Sequence, residues 1–226
     1  MDSNQQGIQI FSFLKYHPIE YLQDLQNGIL HCNPIQEFAK LDPIDGRGDK
    51  YEYIVKQTFG ESAILELANG DLNITHIEGI RIRPDYCIYN YYNRNFFANI
   101  FCLYAVTPKM NYLEHKFELP EILRKMGEYV LIINQPIEFL NRVKSSLERE
   151  KRLTYHMQPV EYLDLTNFEG KKTYFQKPLR YSYQEEFRIM IKNDCEEVLR
   201  LDIGSIDDIS VIMPAEKLKR MRILLF

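Results

Sequence analysis

Gln184 and Glu186 stand two residues apart in the stretch RYSYQEEFRI (180–189). In an extended strand side chains alternate between faces, so the two share a face with about 7 Å between their Cα atoms. An amide beside a carboxylate can grip a ribose hydroxyl and stabilise positive charge growing on a sugar carbon. Ser182, Arg188 and Met190 continue that row, while Tyr181, Tyr183, Glu185, Phe187, Ile189 and Ile191 form the opposite one. The plainer account is a Glu186–Arg188 pair on an exposed sheet face, which contributes little. Upstream, KTYFQKPLRYSY (172–183) leads into the strand with Lys177, Arg180, Tyr181 and Tyr183. Arginine and lysine suit phosphate, tyrosine suits stacking on a flat ring, and Pro178 holds Lys177 extended.

Two other stretches carry polar groups where a ligand could meet them. DGRGDKYEY (45–53) sets Arg47, Asp49 and Glu52 beside two glycines that permit close backbone approach. An ordinary Asp/Gly turn explains the same residues. FLKYHP (13–18) puts Lys15, Tyr16 and His17 at a strand end that faces a helix start. Asp207 and Asp208 read as turn residues, and the tyrosine-rich YCIYNYYNRNFF (86–97) reads as packing and edge covering.

Those groups need a scaffold, and 226 residues suffice for a sizeable core. Hydrophobic residues at 45% and charged ones at 27% describe a globular chain. A net charge of −4 lacks the basic excess of a nucleic-acid binder. Four cysteines (32, 87, 102, 195) form no CxxC pair and no metal-like spacing with the histidines, so no metal is expected and a reducing, cytoplasmic setting is. Neither a signal peptide nor a membrane-spanning run is legible.

The scaffold elements follow from periodicity and punctuation. IQIFSFLKY (8–16) reads as a strand, HPIEYLQDLQNG as a helix stopped by Gly28, ILHCN as a strand and PIQEFAKL as a short helix. AILELANGDLNITHIEG reads as a hairpin turning at Asn69-Gly70, IRIR as a strand and ANIFCLYAVT as a central strand. ELPEILRKMG is expected to be a helix, EYVLIIN a buried strand, and PIEFLNRVKSSLEREKR an amphipathic helix with apolar positions 137, 139, 140, 143 and 147. VEYLDL, RYSYQEEFRIMIK, EVLRLDIG and IDDISVIM are expected strands, and PAEKLKRMRILL a closing helix. Strands grouped rather than alternating with helices give a single α+β domain over 1–226, with a mixed, mostly antiparallel sheet flanked by helices. Neither a phosphate-binding P-loop nor a dinucleotide glycine motif is present.

In this order the motifs resemble a group of poorly characterised bacterial and phage proteins, some linked with abortive infection. Those proteins carry an N-terminal Lys-Tyr strand, an acidic loop and a C-terminal Lys, Tyr, Glu/Gln-x-Glu-x-Arg signature. The matching residues are Lys15-Tyr16, then Arg47, Asp49 and Glu52, then Lys177, Tyr183, Gln184, Glu186 and Arg188. YQEEF is also similar to the last motif of ADP-ribosyltransferases, with Glu186 in the catalytic place and Gln184 orienting the acceptor. The first strand ends with Lys15 and His17 where many of those enzymes carry arginine, and CLYAVT (102–107) stands in for their Ser-Thr-Ser strand.

The resemblances imply an ADP-ribosyltransferase-like fold and NAD as cofactor. They also imply a toxin or antiviral-defence effector that transfers ADP-ribose or cleaves NAD, with Lys15, Lys177 or Arg180 at the pyrophosphate. Two other functions fit the residues. One is a non-catalytic nucleotide- or protein-binding subunit of a defence system, or a phage-encoded inhibitor. The other is a metal-dependent nuclease using Asp49, Glu52 and Glu186. A nucleotide-like small molecule and a protein partner are the expected ligands, with no membrane and no nucleic acid.

Overall fold

The computed structural model describes residues 9–40, 54–59, 64–68, 71–75, 88–92, 97–107, 116–151, 154–164, 170–218 and 220–222. Strand β1 (Ser12–His17) is buried on both faces, because Phe13 and the pair Leu14, Tyr16 enter different core clusters. Pro18 precedes helix α1 (Ile19–Gln26) with φ −53°, where a missing N–H costs the helix nothing. Gly28 then ends the turn at φ +97°, its N–H donating to Leu25 O at 2.9 Å. A Cβ at Gly28 would lie 2.2 Å from Gly204 O, so space and conformation both demand glycine there.

Strand β2 (Ile29–Pro34) runs into helix α2 (Ile35–Lys40). Strands β3 (Ile54–Phe59) and β6 (Ile88–Tyr92) pair with each other, as do β4 (Ile64–Ala68) and β5 (Asp71–Thr75). Ala68 opposite Asp71 fits the expected hairpin, although its turn residues and IRIR (80–83) lie outside the described residues. After the long β7 (Phe97–Val106) come β8 (Lys116–Glu118), a 3₁₀ segment (Glu121–Met126), β9 (Tyr129–Ile133) and helix α3 (Pro136–Arg149). The 3₁₀ turns replace the α-helix expected of ELPEILRKMG; so short a run between strands buries Leu123, with Met126 packed against the same cluster.

The last third contains β10 (Tyr155–Pro159), β11 (Glu161–Leu163), β12 (Gly170–Lys171), β13 (Gln176–Pro178), β14 (Glu186–Asn193), β15 (Leu199–Asp202), β16 (Ser210–Pro214) and β17 (Arg220–Arg222). The closing helix expected of PAEKLKRMRILL is instead a 3₁₀ turn, Ala215–Lys217, followed by β17 paired with β8. Helical spacing there lost to a strand partner across the chain.

The main sheet runs β10-β14-β7-β1-β9-β16 with every neighbouring pair antiparallel, and helices pack beside it, which is the α+β class expected. One flank of β7 serves two strands. β1 takes it from Ser12↔Val106 to Leu14↔Tyr104, and β2 takes it at Asn33↔Ile100 and Pro34↔Asn99. Between them the sheet forks at residues 101–103.

On one face, Phe13, Phe101, Leu131 and Phe187 pack against Phe139, Val143 and Leu147 of α3 in a single cluster. Ile137, expected on that apolar stripe, is 74% exposed. The opposite face carries two separate clusters, one around Tyr104 and Leu123 and one around Ile100 and Met190. Cys102, Glu186 and Arg188 stand between those two in the sheet register.

Candidate functional site

Strand β14 begins at Glu186, not before it. Residues Leu179–Gln184 wind as 3₁₀ turns, and Glu185 adopts the left-handed conformation (φ 35°, ψ 49°) that reverses the chain into the strand. That geometry is costly for a residue with a Cβ, on the order of 1 kcal/mol. Two backbone bonds hold it: Glu185 N–H donates to Ser182 O at 3.1 Å, and Glu185 O accepts from Ala105 N–H at 2.8 Å. The expected alternation therefore holds only from Glu186 onward: Phe187, Ile189 and Ile191 enter the core, while Tyr181, Tyr183, Gln184 and Glu185 are not strand residues. Pro178 ends β13 just upstream, and Gln184 lies in the 3₁₀ turns instead of sitting beside Glu186 within β14.

A lysine restores the lost proximity. Lys177 Nζ donates to Glu186 Oε2 at 2.6 Å and to Gln184 Oε1 at 3.0 Å. Arg188 Nε meets Glu186 Oε1 at 2.6 Å, and its Nη1 donates to Tyr174 O. Glu186 N–H donates to Tyr162 Oη at 2.9 Å. The side chains of Lys177, Glu186 and Arg188 are 4%, 6% and 0% exposed, so the Glu186–Arg188 pair is not the exposed-face pair of the plainer account. Burial is the strongest single influence on Glu186 and opposes its ionisation. Arg188 and then Lys177 overcome it, with hydrogen bonds from Arg188 and Cys102, and hold the carboxyl well below the usual range. Burial, reinforced by Glu186, pushes the Cys102 thiol up to about 12, which leaves it protonated and unreactive.

In the fork of the sheet, above this ion cluster, lies an open-mouthed hollow of about 170 Å³. Lys15, Tyr16 and His17 line it from β1, His31 and Asn33 from β2, and Cys102 and Tyr104 from β7. Lys177, Gln184 and Glu186 close its floor. Lys15 Nζ donates to Cys102 O at 2.7 Å, satisfying a carbonyl that the fork leaves without a ladder strand, and lies 4.5 Å from the Phe101 ring centre. Tyr16 is 5% exposed, and its hydroxyl has no hydrogen-bond partner among the described residues. Burial pushes that phenol up to about 12, against a weaker pull from Arg124, so it stays a hydrogen-bond donor.

Of the residues singled out by sequence, Lys15, Tyr16, Lys177, Gln184 and Glu186 meet at this hollow, with Arg188 directly behind. Arg180 is exposed, 5.0 Å from the Tyr181 ring centre, and neither it nor Tyr183 lines the hollow. Arg47, Asp49 and Glu52 lie outside the described residues. His31 and its partner Asp24, whose side chains meet at 2.9 Å, belong to no motif legible in the sequence. Seven residues separate them across a helix-to-strand turn, a spacing that matches no motif. Among the described residues no group of three or more His, Cys, Asp or Glu could hold a metal, and no helix is long and apolar enough to cross a membrane. Comparison with family models, curated proteins and solved structures finds no match.

Proposed function

We propose that the hollow binds a phosphate-bearing ligand with a flat ring, NAD being the one the sequence resemblance implies. Glu186 then acts on its ribose, as in an NAD-cleaving or ADP-ribose-transferring defence effector or toxin working in the cytoplasm. One observation carries the reading: a buried phenol without a partner among the described residues belongs to Tyr16, a residue in the wall of a hollow whose described lining has two lysines and a single carboxylate. An orphaned buried donor costs about 1–3 kcal/mol, and a ligand acceptor removes that cost. Lys15 and Lys177 suit the phosphates, and Phe38, Phe101 and Tyr104 suit a planar ring.

Glu186 stays ionised at neutral pH, and with Lys177, Arg188 and Cys102 on three of its four lone pairs one is left for a ribose hydroxyl. A fixed carboxylate stabilises an oxocarbenium-like centre without reorganising. Gln184 accepts from Lys177 at its carbonyl and lines the same hollow. Incubation with NAD, followed by mass spectrometry, tests this. Nicotinamide release that Glu186→Gln reduces at least about a hundredfold supports cleavage.

A second reading shares the ligand but not the chemistry. Both Glu186 oxygens already hold cations. That suits a receptor that keeps a nucleotide intact, as a defence-system subunit or a phage-encoded inhibitor would. Saturable NAD binding without nicotinamide release selects it. The nuclease alternative rests on Asp49 and Glu52, and divalent-metal-dependent cleavage of plasmid or RNA is its test.

A further inference from the structure

We infer that His31, held by Asp24, is the base that takes the proton of an attacking water, which makes the hollow a hydrolytic site for NAD. The inference rests on the catalytic reading of Glu186 and adds to it a residue pair on other elements. His31 lines the hollow from β2, while Asp24 reaches it from α1, with 2.9 Å between Nε2 and Oδ2. Tyr21, one turn earlier on α1, sets its ring edge against the imidazole at 5.7 Å between centres. Two side chains of one helix thus fix the ring. A carboxylate on one imidazole nitrogen selects the tautomer and leaves a lone pair on the other.

The groups on the floor are poorly suited to this task. Gln184 turns its carbonyl, the acceptor of its amide, to Lys177. Glu186 spreads its charge over two bound cations, which makes it a weak base. Lys15 and Lys177 are ammonium groups, and the Cys102 thiol is protonated.

The step balances without a redox partner. The bond from ribose C1′ to the nicotinamide nitrogen breaks, and its electron pair leaves on that nitrogen. The water oxygen bonds to C1′, and its proton passes to His31 and on to solvent. NAD and water give ADP-ribose, nicotinamide and one proton.

The test uses the full chain with NAD and follows nicotinamide release from pH 5 to pH 9 in wild type, His31→Gln and Asp24→Asn. The groups facing His31 are Asp24 and Tyr21 from α1 and, next to Asp24, Arg200 from β15 with Nη2 at 4.0 Å. Lys15, His17, Lys177 and Glu186 line the same hollow. Expected are a wild-type rate that falls on the acid side and a kcat about a hundredfold lower in His31→Gln. KM should stay within about threefold, the acid limb should flatten, and added imidazole should restore part of the rate. Asp24→Asn, at a half-exposed position, should lower kcat about tenfold and serves if His31→Gln unfolds. A His31→Gln protein that keeps kcat and the acid limb, while wild type releases nicotinamide, overturns the role of His31 alone. Wild-type protein that binds NAD without releasing nicotinamide overturns both the inference and the catalytic reading.

Discussion

Two networks in this molecule pair arginine with carboxylates at nearly the same distances but in opposite surroundings. On α3, Arg142 meets Glu138 Oε1 at 2.8 Å and both oxygens of Asp208 at 2.7 and 2.6 Å. At the floor of the hollow, Arg188 and Lys177 each meet Glu186 at 2.6 Å. Glu138 and Asp208 are 43% and 54% exposed, whereas the buried three are all under a tenth exposed. Geometry alone does not set what an ion pair is worth. Water and salt stand ready to replace a partner lost from α3, and nothing replaces one lost from the floor. Folding does not require buried charges either, since apolar side chains of similar volume do as well or better.

Removing one buried partner has the largest expected effect. Glu186→Ala leaves Lys177 and Arg188 facing each other out of water and should destabilise the fold by about 3–5 kcal/mol in urea titration. A loss near that expected at the surface would erase the contrast. Replacing all three together, with Glu186→Leu, Lys177→Met and Arg188→Met, should recover most of that stability while abolishing NAD binding. Recovered stability with intact binding would make the cluster purely structural.

Acid titration sharpens the same contrast. The folded Glu186 carboxyl sits below its unfolded value of about 4.3, so its stabilisation is present above that pH. It is lost as pH falls from there toward the folded value. Urea midpoints of wild type should therefore drop on acidification below about pH 5, and Glu186→Gln should show a shallower drop. Asp208 is shifted in the same direction by its hydrogen bond from Arg142, but in open solvent. Asp208→Asn should change the acid slope less, and about 0.5 M salt should remove most of the difference. Smallest of all, Arg142→Ala should lower Tm by about 2 °C or less.

The sequence was legible where one rule acted alone. Alternation and turn residues located β1, α1, β2, β7, β9 and α3, and the left-handed Gly28 ends α1 where a glycine stop was expected. It misled where a distant partner decided the outcome. The C-terminal PAEKLKRMR carries helical spacing, yet β8 recruits part of it as a strand. RYSYQ alternates like a strand, but Pro178 and the left-handed Glu185 wind it into 3₁₀ turns. The spacing of Gln184 and Glu186 predicts a shared strand face; they are joined instead through Lys177, a contact that spacing does not encode. The His31–Asp24 pair depends on how α1 packs beside β2, which no short pattern records.

Tyr16 offers the most direct test that this hollow belongs to a ligand. Its hydroxyl has no hydrogen-bond partner among the described residues, so Tyr16→Phe should leave Tm unchanged or slightly raised while weakening NAD binding about tenfold by isothermal titration calorimetry. A wild-type titration with no saturable heat, or a variant that binds equally well but melts lower, would contradict the account.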